Sequence, residues 1–476
     1  MNTISVSKEQ LPRSVNPATE ELVEEFPFQS EADAEALLER SARAQATWRE
    51  VPFSERGRIL NDVATRLRAS KAELASDITL EMGKPIAEAE AEVEKCAWNC
   101  EYVAENGQQW LHDEEKITNA SQSYVSFLPL GTILAVMPWN FPLWQVFRFG
   151  APALMGGNTV LLKHAPNVMR CARNIERVFT EAGLPAGVFQ NLIVPVEMVG
   201  RILADRRIAG ATVTGSPRAG AAVAEQAGKA LKKVVLELGG SDAFIVLPDA
   251  DLDQAVAAAV RGRFANCGQV CLAPKRLILT EPISDAFCGK FVAAVQQLRT
   301  GDPRERTTQL GPMARGDLRD TLDRQVQSSV QAGACVLTGG SPQPGKGYFY
   351  EPPILSEVAP DMPAAREETF GPVAALLKVE TDEQAVELAN SSEYGLSANI
   401  WTRDIERARN YARHLAAGSV FVNGVAASDP RLPIGGVKRS GFGRELALYG
   451  IREFVNIQTV WIGPAKQTVT AEASGE

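Results

Sequence analysis

From Thr132 to Leu247 the chain repeats one pattern, in which a short apolar run is followed by a segment with helical spacing. The runs are ILAVM, TVLLK, VFQNLIV, ATVTG, VVLEL and AFIVL. Strands that alternate with helices predict parallel sheets packed between layers of helices. The pattern begins again after Gly240, with a helix predicted over Asp251 to Phe264. We therefore expect an α/β fold with a domain boundary near Gly240.

Residues 1–118 are predicted to be almost entirely helical. Ser30 begins an S-x-x-D helix start, and helical apolar spacing follows as far as Trp48. Ser121 to Leu130 alternates in the manner of an edge strand, and FVNIQTVWIG near the C-terminus is a second strand-like run. Edge strands are often covered by another subunit. The polar residues 466–476 are expected to form a flexible tail.

The composition restricts the class of protein. At 476 residues the chain is too long for one simple core, so two or three domains are expected. Its formal net charge of −9 disfavours nucleic acids and anionic membranes as partners. There is no signal-peptide layout and no apolar run of membrane-spanning length. Because the 7 cysteines are irregularly spaced and the 3 histidines form no metal-binding motif, we expect a cytoplasmic protein without a metal.

One cysteine, Cys271, stands in a lightly charged, glycine-containing segment, FANCGQVCLAPKR. Backbone N–H groups exposed by the Gly268-Gln269 turn would favour the thiolate, which is the nucleophilic form. A buried structural thiol is the alternative for Cys271. That inert interpretation is preferred for the cysteines at positions 96, 100, 171, 288 and 335.

Glu237 lies between two apolar residues in VVLELGGSD and precedes paired glycines. A carboxylate on a buried strand is desolvated, and this raises its pKa towards the range in which it can accept a proton from water. The end of a strand in an open sheet is also where active sites lie. The alternative is a buried glutamate that is satisfied by backbone amides or by a salt bridge.

The turn PWNFP, from Pro138 to Pro142, follows the first strand of the predicted sheet. Its two prolines make the turn rigid, so the Asn140 amide could face a developing oxyanion, although a purely structural turn would have the same sequence. His164 is the only histidine in a plausible strand-end position. We therefore expect a thiol assisted by a carboxylate and not a Cys-His dyad.

The local sequence indicates a nucleotide site only weakly. The pattern G-x-G-x-x-G is absent, but the strand ATVTG ends at Gly215-Ser216 just before a predicted helix. A glycine turn at a helix start can hold a phosphate. Lys163, at the end of TVLLK, could reach a ribose hydroxyl or could be a solvated lysine.

Together, the motifs PWNFP, VTGS, LELGG, FANCGQVC and ETFGP have an order and spacing that resembles the NAD(P)-dependent aldehyde dehydrogenase superfamily. The resemblance extends from NPATEE to GFGRE. It implies an aldehyde dehydrogenase-like α/β fold, with a Rossmann-type cofactor domain at 1–118 and 132–239 and an α/β catalytic domain at 240–440. A small β oligomerisation arm at 119–131 and 454–465 would serve a homodimer or homotetramer.

The resemblance also implies a role for each candidate residue. Cys271 would be the nucleophile, Glu237 the general base, and Asn140 an oxyanion-hole donor together with the Cys271 backbone amide. Lys163 and Glu368 would hold the two riboses. The residues expected to bind the dinucleotide are Met137, Pro138, Trp139, Lys163, Gly215, Ser216, Leu238, Glu368 and Phe370.

Within the superfamily, the segments LLKHAPN, LELGGSD and GPMAR resemble those of bacterial succinate semialdehyde dehydrogenases. Arg148 would then hold the far carboxylate of the substrate through two hydrogen bonds, unless it forms a salt bridge between helices. Many such enzymes have a second arginine where this chain has Ala265. Gln145 and Ser428 are expected to share the task.

The implied reaction is the NAD(P)-dependent oxidation of succinate semialdehyde, or a close ω-carboxy aldehyde, to the carboxylic acid. One alternative is a broad-specificity aliphatic or aromatic aldehyde dehydrogenase, in which Trp144 and Phe147 line an apolar tunnel. Another is a thiol hydrolase or acyl-transfer enzyme. Lys163, Glu368 and the Gly215-Ser216 turn disfavour the hydrolase, because it would not need a dinucleotide cleft.

Two further expectations concern the cofactor and oxidation. Pro166 stands three residues after Lys163, where NAD-preferring relatives often have a glutamate that repels a 2′-phosphate. Both NAD and NADP are therefore expected to work, with a slight preference for NAD. Cys267 lies four residues before Cys271 and could form an inactivating disulfide with it, although a small packing residue is the simpler interpretation.

Overall fold

The computed structural model describes residues 11–463, and the predicted tail at 466–476 lies outside the described residues. The strands are β1 (Arg13–Asn16), β2 (Glu21–Glu25), β3 (Glu114–Glu115), β4 (Gln122–Pro129), β5 (Thr132–Met137), β6 (Thr159–His164), β7 (Phe189–Asn191), β8 (Ile208–Thr214), β9 (Lys233–Glu237), β10 (Asp242–Val246), β11 (Pro274–Thr280), β12 (Cys335–Thr338), β13 (Ile354–Ser356), β14 (Ala374–Val379), β15 (Tyr394–Gly395), β16 (Ser397–Trp401), β17 (Ser419–Val422), β18 (Val437–Lys438), β19 (Gly441–Phe442) and β20 (Val455–Ile462).

The helices are α1 (Glu31–Trp48), α2 (Phe53–Ala69), α3 (Lys71–Met82), α4 (Ile86–Trp110), α5 (Trp144–Met155), α6 (Met169–Glu181), α7 (Val196–Ala204), α8 (Pro217–Lys229), α9 (Leu252–Phe264), α10 (Glu281–Val295), α11 (Gly316–Gln331), α12 (Pro363–Arg366), α13 (Asp382–Asn390), α14 (Ile405–His414) and α15 (Ala447–Ile451). Short 3-10 helices cover Ala265–Gly268 and Arg452–Phe454. Within residues 11–463, no helix is both long enough and apolar enough to cross a membrane.

The first sheet contains six strands in the order β19-β9-β8-β5-β6-β7. Its neighbours run parallel except for β19, which is antiparallel to β9. All of the apolar runs predicted as strands except AFIVL form this sheet, whereas AFIVL forms β10 of the second sheet. Helices such as α1, α5 and α8 pack on the first sheet. The α/β class predicted from the alternating pattern is confirmed.

The second sheet begins just after Gly240 and has seven strands in the order β12-β13-β14-β11-β10-β16-β17. It is parallel except for the β12–β13 pair. A separate hydrophobic cluster that includes Phe244, Phe287 and Phe291 packs beneath it. A second parallel sheet with its own core agrees with the restart of the sequence pattern, while the proposed domain bounds stay a prediction.

A third sheet joins two distant parts of the chain. In it β20 pairs antiparallel with β4, which places Ile457 opposite Phe127, and β3 pairs with the other side of β4. The alternating segment from Ser121 is thus a strand, as predicted, but it lies between β20 and β3 and not at the edge of the sheet. On β20, Ile457 is 62% exposed and Trp461 is 52% exposed, so one long strand presents apolar side chains to solvent.

The described part of the N-terminal region, from residue 11 onward, starts with strands. The prediction that residues 1–118 are almost entirely helical is therefore wrong for β1 and β2, and also for the short β3. Strands β1 and β2 pair with each other, and little of their sequence is apolar. Tertiary contacts hold them, such as the hydrogen bond from Ser14 Oγ to the buried Glu81. The helix start at Ser30 is confirmed as a capping box, because Ser30 and Asp33 exchange side-chain to backbone hydrogen bonds of 3.0 and 3.1 Å.

Three turns come together at one edge of the first sheet. Because β5, β8 and β9 are parallel neighbours, their carboxyl ends lie side by side. The PWNFP turn, the Gly215-Ser216 turn and Glu237 follow or end these strands. Helix α5 leaves the PWNFP turn, is buried along its whole length and packs against α4.

Candidate active site

The segment before Cys271 has an unusual backbone. Asn266, Cys267 and Gly268 have φ values of 52°, 54° and 70°, which lie in the left-handed region. A Cβ on Gly268 would lie 2.3 Å from the carbonyl oxygen of Gly371, so only glycine fits there. Left-handed conformations of other residues cost free energy and persist where the surrounding structure holds them, often at functional sites.

Asn140 is tied to the same segment by hydrogen bonds. Its Nδ2 donates to Gln269 O at 3.1 Å, and Asn266 Nδ2 donates to Asn140 O at 2.8 Å. A side-chain amide nitrogen carries two hydrogens, so Asn140 keeps one for another acceptor. Asn140 and Cys271 line the same cavity. The structure therefore brings together the amide and the thiol that the sequence singled out.

Cys271 lies on the walls of two cavities. The first, of about 400 Å³, is bounded by the carboxyl ends of β5, β8 and β9, and we call it the strand-end cleft. The second, of about 390 Å³, is bounded mainly by α4, α5, α9 and the segment 425–428, and we call it the helical cavity. Gln145 also lines both. A group bound in either cavity can therefore approach Cys271.

The strand-end cleft contains most of the residues predicted to bind a dinucleotide. These are Pro138, Trp139, Gly215, Ser216, Leu238, Glu368 and Phe370, with the rings of Trp139 and Phe370 5.7 Å apart. Met137 and Lys163 are not in its wall. Met137 ends β5 and is buried, and Lys163 is on the neighbouring β6, opposite Val136. Their predicted role in cofactor binding stays a prediction.

The helical cavity contains all three residues predicted to bind the substrate, namely Gln145, Arg148 and Ser428. Ala265 also lines it, at the position without the second arginine. The expectation that Phe147 lines a tunnel is wrong, because Phe147 is fully buried and stacks on Phe179 at 5.1 Å. On a helix buried on all sides, apolar character does not reveal which side faces the cavity.

Glu237 ends β9, is buried and lines the strand-end cleft. Its Oε2 lies 3.8 Å from Arg148 Nη2, and its Oε1 has no hydrogen-bond partner within residues 11–463. Burial raises the pKa of Glu237, and the charge of Arg148 opposes this increase. A buried carboxylate with a raised pKa and an unpaired oxygen has the properties of a general base.

Arg148 is buried beside two acids. Its Nε donates to Glu445, its Nη2 donates to Thr214 Oγ1 at 3.3 Å, and the same nitrogen approaches Glu237. Glu445 also accepts from Thr212 Oγ1 at 3.3 Å. These contacts form a salt bridge, which was the alternative left open by the sequence, but neither Glu445 nor Glu237 lies on a helix, so it is not a bridge between helices. Two of the three guanidinium nitrogens already have partners in the protein.

The surroundings of Cys271 favour the protonated thiol. Burial raises the pKa of Cys271 to about 11, although the charges of Arg148 and Lys275 lower it. Lys275 Nζ donates to Cys271 O at 2.8 Å and to Glu368 Oε1 at 3.2 Å, so it links the cysteine segment to the cleft. A thiol in this state needs a proton acceptor before it can act as a nucleophile.

His164 has a structural position. Its Nδ1 accepts from the Ala165 backbone N–H at 2.8 Å, so its Nε2 carries the proton and donates to Pro142 O at 2.8 Å. Burial lowers the pKa of His164 to about 4, which keeps the ring neutral. The imidazole therefore holds the PWNFP turn against β6. The expectation that the thiol has no histidine partner stays a prediction.

The strand-end cleft is suited to an anionic ligand that contains phosphate and ribose. The N-terminus of α8 opens into it, with Ser216 as the cap, and a helix N-terminus attracts phosphate. The side chains of Arg218 and Arg315 add positive charge. Glu368 accepts from Gly240 N at 3.0 Å, and a Cβ on Gly239 would lie 2.1 Å from Glu368 Oε2. Glycine at that position leaves space for this carboxylate, which can accept ribose hydroxyl protons.

Sequence reasoning missed several charged residues of the two cavities. They are Lys95 and Arg261 in the helical cavity, Arg218 and Arg315 in the cleft, and Lys275 behind the cysteine segment. Arg218 and Lys275 follow recognised motifs closely and could have been found. Lys95 and Arg261 are on helices far from any motif, so only the packing of the helices reveals them.

The other cysteines form no disulfide. All 7 are free, and Cys267 is buried in the core of the second sheet, so its predicted disulfide with Cys271 stays a prediction. Within residues 11–463, no three His, Cys, Asp or Glu side chains are grouped so as to hold a metal ion. The expectation of a metal-free enzyme likewise stays a prediction.

Comparison with known proteins identifies the family. The model of the aldehyde dehydrogenase family matches residues 4–460. The chain is 52% identical, over 94% of its length and 97% of the relative's, to the NAD(P)+ succinate semialdehyde dehydrogenase Sad of Escherichia coli. It is 47% identical to the NADP(+) succinate-semialdehyde dehydrogenase 1 of Mycobacterium tuberculosis, with 94% of this chain and 99% of that one covered.

A solved structure agrees with these relatives. The succinic semialdehyde dehydrogenase from Streptococcus pyogenes, in complex with NADP+, superimposes with a TM-score of 0.93 at 37% identity. The match covers 95% of this chain and all of that one. The chain therefore belongs to the aldehyde dehydrogenase family, and the resemblance inferred from the motifs is confirmed.

Proposed function

We propose that this protein oxidises succinate semialdehyde, or a close ω-carboxy aldehyde, to the carboxylic acid with a nicotinamide dinucleotide as oxidant. The observation that carries the proposal is the position of Cys271 on the walls of both cavities. An aldehyde in the helical cavity and a dinucleotide in the strand-end cleft would both reach its sulfur. The names of the relatives support the choice of aldehyde.

The reaction begins with addition of the Cys271 sulfur to the aldehyde carbon, and the carbonyl oxygen becomes an oxyanion. The free hydrogen of Asn140 Nδ2 and the Cys271 backbone N–H would stabilise that oxyanion, and such donors are effective because they are already oriented. Proton loss from the thiol is costly in this buried site. We propose that Glu237, through its unpaired Oε1, accepts the proton.

The dinucleotide, when bound, accepts the hydride that the thiohemiacetal carbon loses. We propose that its pyrophosphate lies at the N-terminus of α8 near Arg218, and that Glu368 accepts a ribose hydroxyl proton. Trp139 and Phe370 would pack on it across the cleft. Lys163 and Met137 remain candidate contacts because their strands end at this edge of the sheet.

Hydrolysis of the Cys271 thioester completes the cycle. Once the proton taken from the thiol has passed from Glu237 to solvent, Glu237 would remove a proton from water. The resulting nucleophile would attack the thioester carbonyl while Asn140 again stabilises the oxyanion. The carboxylic acid then leaves and Cys271 regains its proton. One buried carboxylate thus serves both proton transfers.

A nicotinamide dinucleotide is the cofactor that the relatives support, but the slight preference for NAD predicted from the sequence has no support from them. The relatives are named for NADP(+) or for both dinucleotides. We propose that NADP+ is used at least as well as NAD+, because Pro166 leaves no carboxylate three residues after Lys163 to repel a 2′-phosphate. Pro166→Glu should lower the ratio of NADP+ to NAD+ efficiency.

The decisive test follows dinucleotide reduction with succinate semialdehyde and with hexanal, each with NAD+ and NADP+, on the wild type and on Cys271→Ala. Strong preference for the semialdehyde, lost in Cys271→Ala, supports the proposal. Equal or better use of hexanal would favour the broad-specificity aldehyde dehydrogenase instead. Ester or thioester hydrolysis without dinucleotide reduction would favour the thiol hydrolase.

We also propose that the third sheet is an oligomerisation arm. The exposed apolar side chains on β20, such as Ile457 and Trp461, would be covered by a second copy of the chain. Light scattering on the wild type and on a variant with Ile457→Lys and Trp461→Lys tests this, with a monomeric wild type as the contradictory result. The cytoplasmic location stays a prediction.

A further inference from the structure

We infer, on the basis of the proposed function, that Lys95 binds the carboxylate end of the aldehyde in the helical cavity, next to Ser428, which the family resemblance already implies as a contact for that end. Both residues line this cavity, as does Cys271. Lys95 is on α4, and Ser428 is in the segment that follows β17. The fitting ligand is a short aliphatic aldehyde with a carboxylate at its other end.

The guanidinium of Arg148 is already engaged by groups of the protein. Its Nε is bound to Glu445 and its Nη2 to Thr214, and it also approaches Glu237. Turning towards a substrate would leave Glu445 buried without its partner, which is costly. Ala265 contributes no charge at all. A carboxylate in this cavity therefore needs another cation.

Lys95 is such a cation. Its Nζ donates to Ser428 Oγ at 2.8 Å and lies 4.3 Å from the centre of the Trp144 ring. No Asp or Glu oxygen within residues 11–463 lies at salt-bridge distance from this ammonium. The nearby Asp429 is itself paired with Arg431 at 2.7 Å. A largely buried ammonium without a counter-ion favours the binding of an anion.

The hydroxyl of Ser428 points to the same conclusion. Its Oγ accepts from Lys95 Nζ and from Trp144 Nε1, the latter at 3.0 Å. A hydroxyl oxygen has two lone pairs, so both are used and its own hydrogen is left to donate. Within residues 11–463 that hydrogen has no acceptor. A carboxylate would accept from Ser428 and from Lys95 at once.

The other charges around Lys95 do not replace a substrate carboxylate. Glu92 is paired with Lys84 and accepts from the backbone N–H groups of Leu143 and Trp144 at 2.9 and 3.0 Å. Glu88 accepts from Asn266 N at 2.7 Å, and burial raises its pKa.

The remaining titratable groups on the walls of the helical cavity are positively charged or bear a thiol. They are Arg148 on α5, Arg261 on α9 and Cys271. Burial and then the charge of Arg148 lower the pKa of Lys95 to about 8. A bound carboxylate would raise it again, because an opposite charge favours the ammonium.

The test compares succinate semialdehyde with hexanal on Lys95→Met, which removes the charge and keeps the aliphatic stem. The ratio of the two kcat/KM values is the readout, since changes in Cys271 or Glu237 chemistry cancel in it. We expect kcat/KM for the semialdehyde to fall by about 10- to 100-fold, mainly through KM, and that for hexanal to change by less than about 3-fold. Lys95→Arg should restore part of the ratio.

Arg261→Met is the matched control. Arg261 lines the same cavity, but its side chain is exposed, so its removal should leave the ratio within about 2-fold of the wild type. Thermal unfolding of each variant checks that the fold is intact. A shift of the ratio in Arg261→Met equal to that in Lys95→Met would overturn the inference.

The pH profile gives a second readout that a structural role would not affect. The wild-type ratio should decline as the pH rises through the pKa of Lys95, because the ammonium loses its proton. In Lys95→Met the ratio should be flat over that range. A declining ratio in Lys95→Met would assign the effect to another group and overturn the inference.

Failure of the inference and failure of the proposed function give different results. If the wild type prefers the semialdehyde and Lys95→Met keeps that preference, the inference is wrong and the function stands. If the wild type does not prefer the semialdehyde, the proposed substrate is wrong, and the role of Lys95 is wrong with it.

Discussion

The strand-end cleft and the helical cavity share Cys271 but are built from different kinds of structure. Turns at the ends of parallel strands form the cleft, and these turns need particular residues, such as the prolines of PWNFP and Gly239 beside Glu368. Faces of α4, α5 and α9 form the cavity. At a position on a helix, many different side chains are compatible with the helical conformation. Geometry therefore leaves a clear sequence signature in the cleft and almost none in the cavity.

The two regions also differ in how their charged groups are buried and paired. The cleft presents positive groups, namely the N-terminus of α8, Arg218 and Arg315, without burying them deeply. The cavity has cations that are buried, of which Arg148 is neutralised by Glu445 and Lys95 is not. An anionic ligand in the cleft can therefore bind anywhere in a broad positive region. In the cavity, by contrast, an anionic group would have to lie beside the Lys95 ammonium.

The largest expected effect is at the residue that both cavities share. Cys271→Ala should lower dehydrogenase turnover by at least about 10⁴-fold with every aldehyde and either dinucleotide, because no other group can form the covalent adduct. Cys335→Ala is the control, since Cys335 is exposed and lines neither cavity. Steady-state dinucleotide reduction measures both. Residual turnover near the wild-type rate would remove Cys271 from the mechanism.

Glu237→Gln should slow turnover by about 10²- to 10⁴-fold, because the amide cannot accept a proton from water. The wild-type rate should rise with pH through the raised pKa of Glu237, since only the carboxylate is a base. The variant should lose that rise. Glu176→Gln is a suitable control, because burial also raises the pKa of Glu176 but this residue contacts Asn191 away from both cavities. An unchanged pH profile in Glu237→Gln would contradict the role.

Arg148→Met should affect both aldehydes alike, unlike Lys95→Met. Removal of this cation leaves Glu445 buried and unpaired, so the free energy of unfolding should fall by about 3–5 kcal/mol. It also removes the charge that opposes the pKa increase of Glu237, so the acid limb of the rate profile should move to higher pH. The variant Arg148→Lys keeps the charge, so it should restore part of the lost stability and reverse part of the shift in the rate profile. If Arg148→Met lost activity selectively with the semialdehyde, Arg148 would be the residue that binds the substrate carboxylate.

Arg218→Gln should affect only the cleft. We expect the KM for the dinucleotide to rise by about 10-fold, because a charged contact to phosphate is lost, while the aldehyde preference stays the same. Initial rates at varied dinucleotide and fixed aldehyde measure this. A changed preference between semialdehyde and hexanal would show that the cleft and the cavity are not independent.

The smallest expected effect is in the cavity. Trp144→Phe keeps a ring beside Lys95 but removes the Nε1 hydrogen bond to Ser428. The KM for succinate semialdehyde should rise by about 2- to 10-fold, because one neutral hydrogen bond that orients the hydroxyl is lost. The KM for hexanal serves as the internal control. An equal change for both aldehydes would mean that Trp144 acts through packing alone.

How much of the molecule was predictable differs between elements. The strands of the first sheet followed from their apolar runs, because a buried parallel strand must be apolar on both sides. The pair β1–β2 could not be predicted from its sequence. It is held by tertiary contacts such as the hydrogen bond between Ser14 and Glu81, which no local pattern indicates. Phe147 and Trp144 are both aromatic residues of α5 that the sequence pattern does not distinguish, yet only Trp144 lines the cavity.

The sequence by itself determined the α/β class, because buried parallel strands require apolar runs, and it determined the family through the resemblance of its motifs. It also singled out Cys271, Glu237 and Asn140 as candidates, because turn geometry and reactive residue type are local properties. Only the tertiary structure decided which charges remain unpaired. Arg148 meets Glu445 from a position 297 residues away, and Lys95 meets Ser428 across 333 residues. Pairing of charges over such distances depends on how helices pack, which no local pattern records.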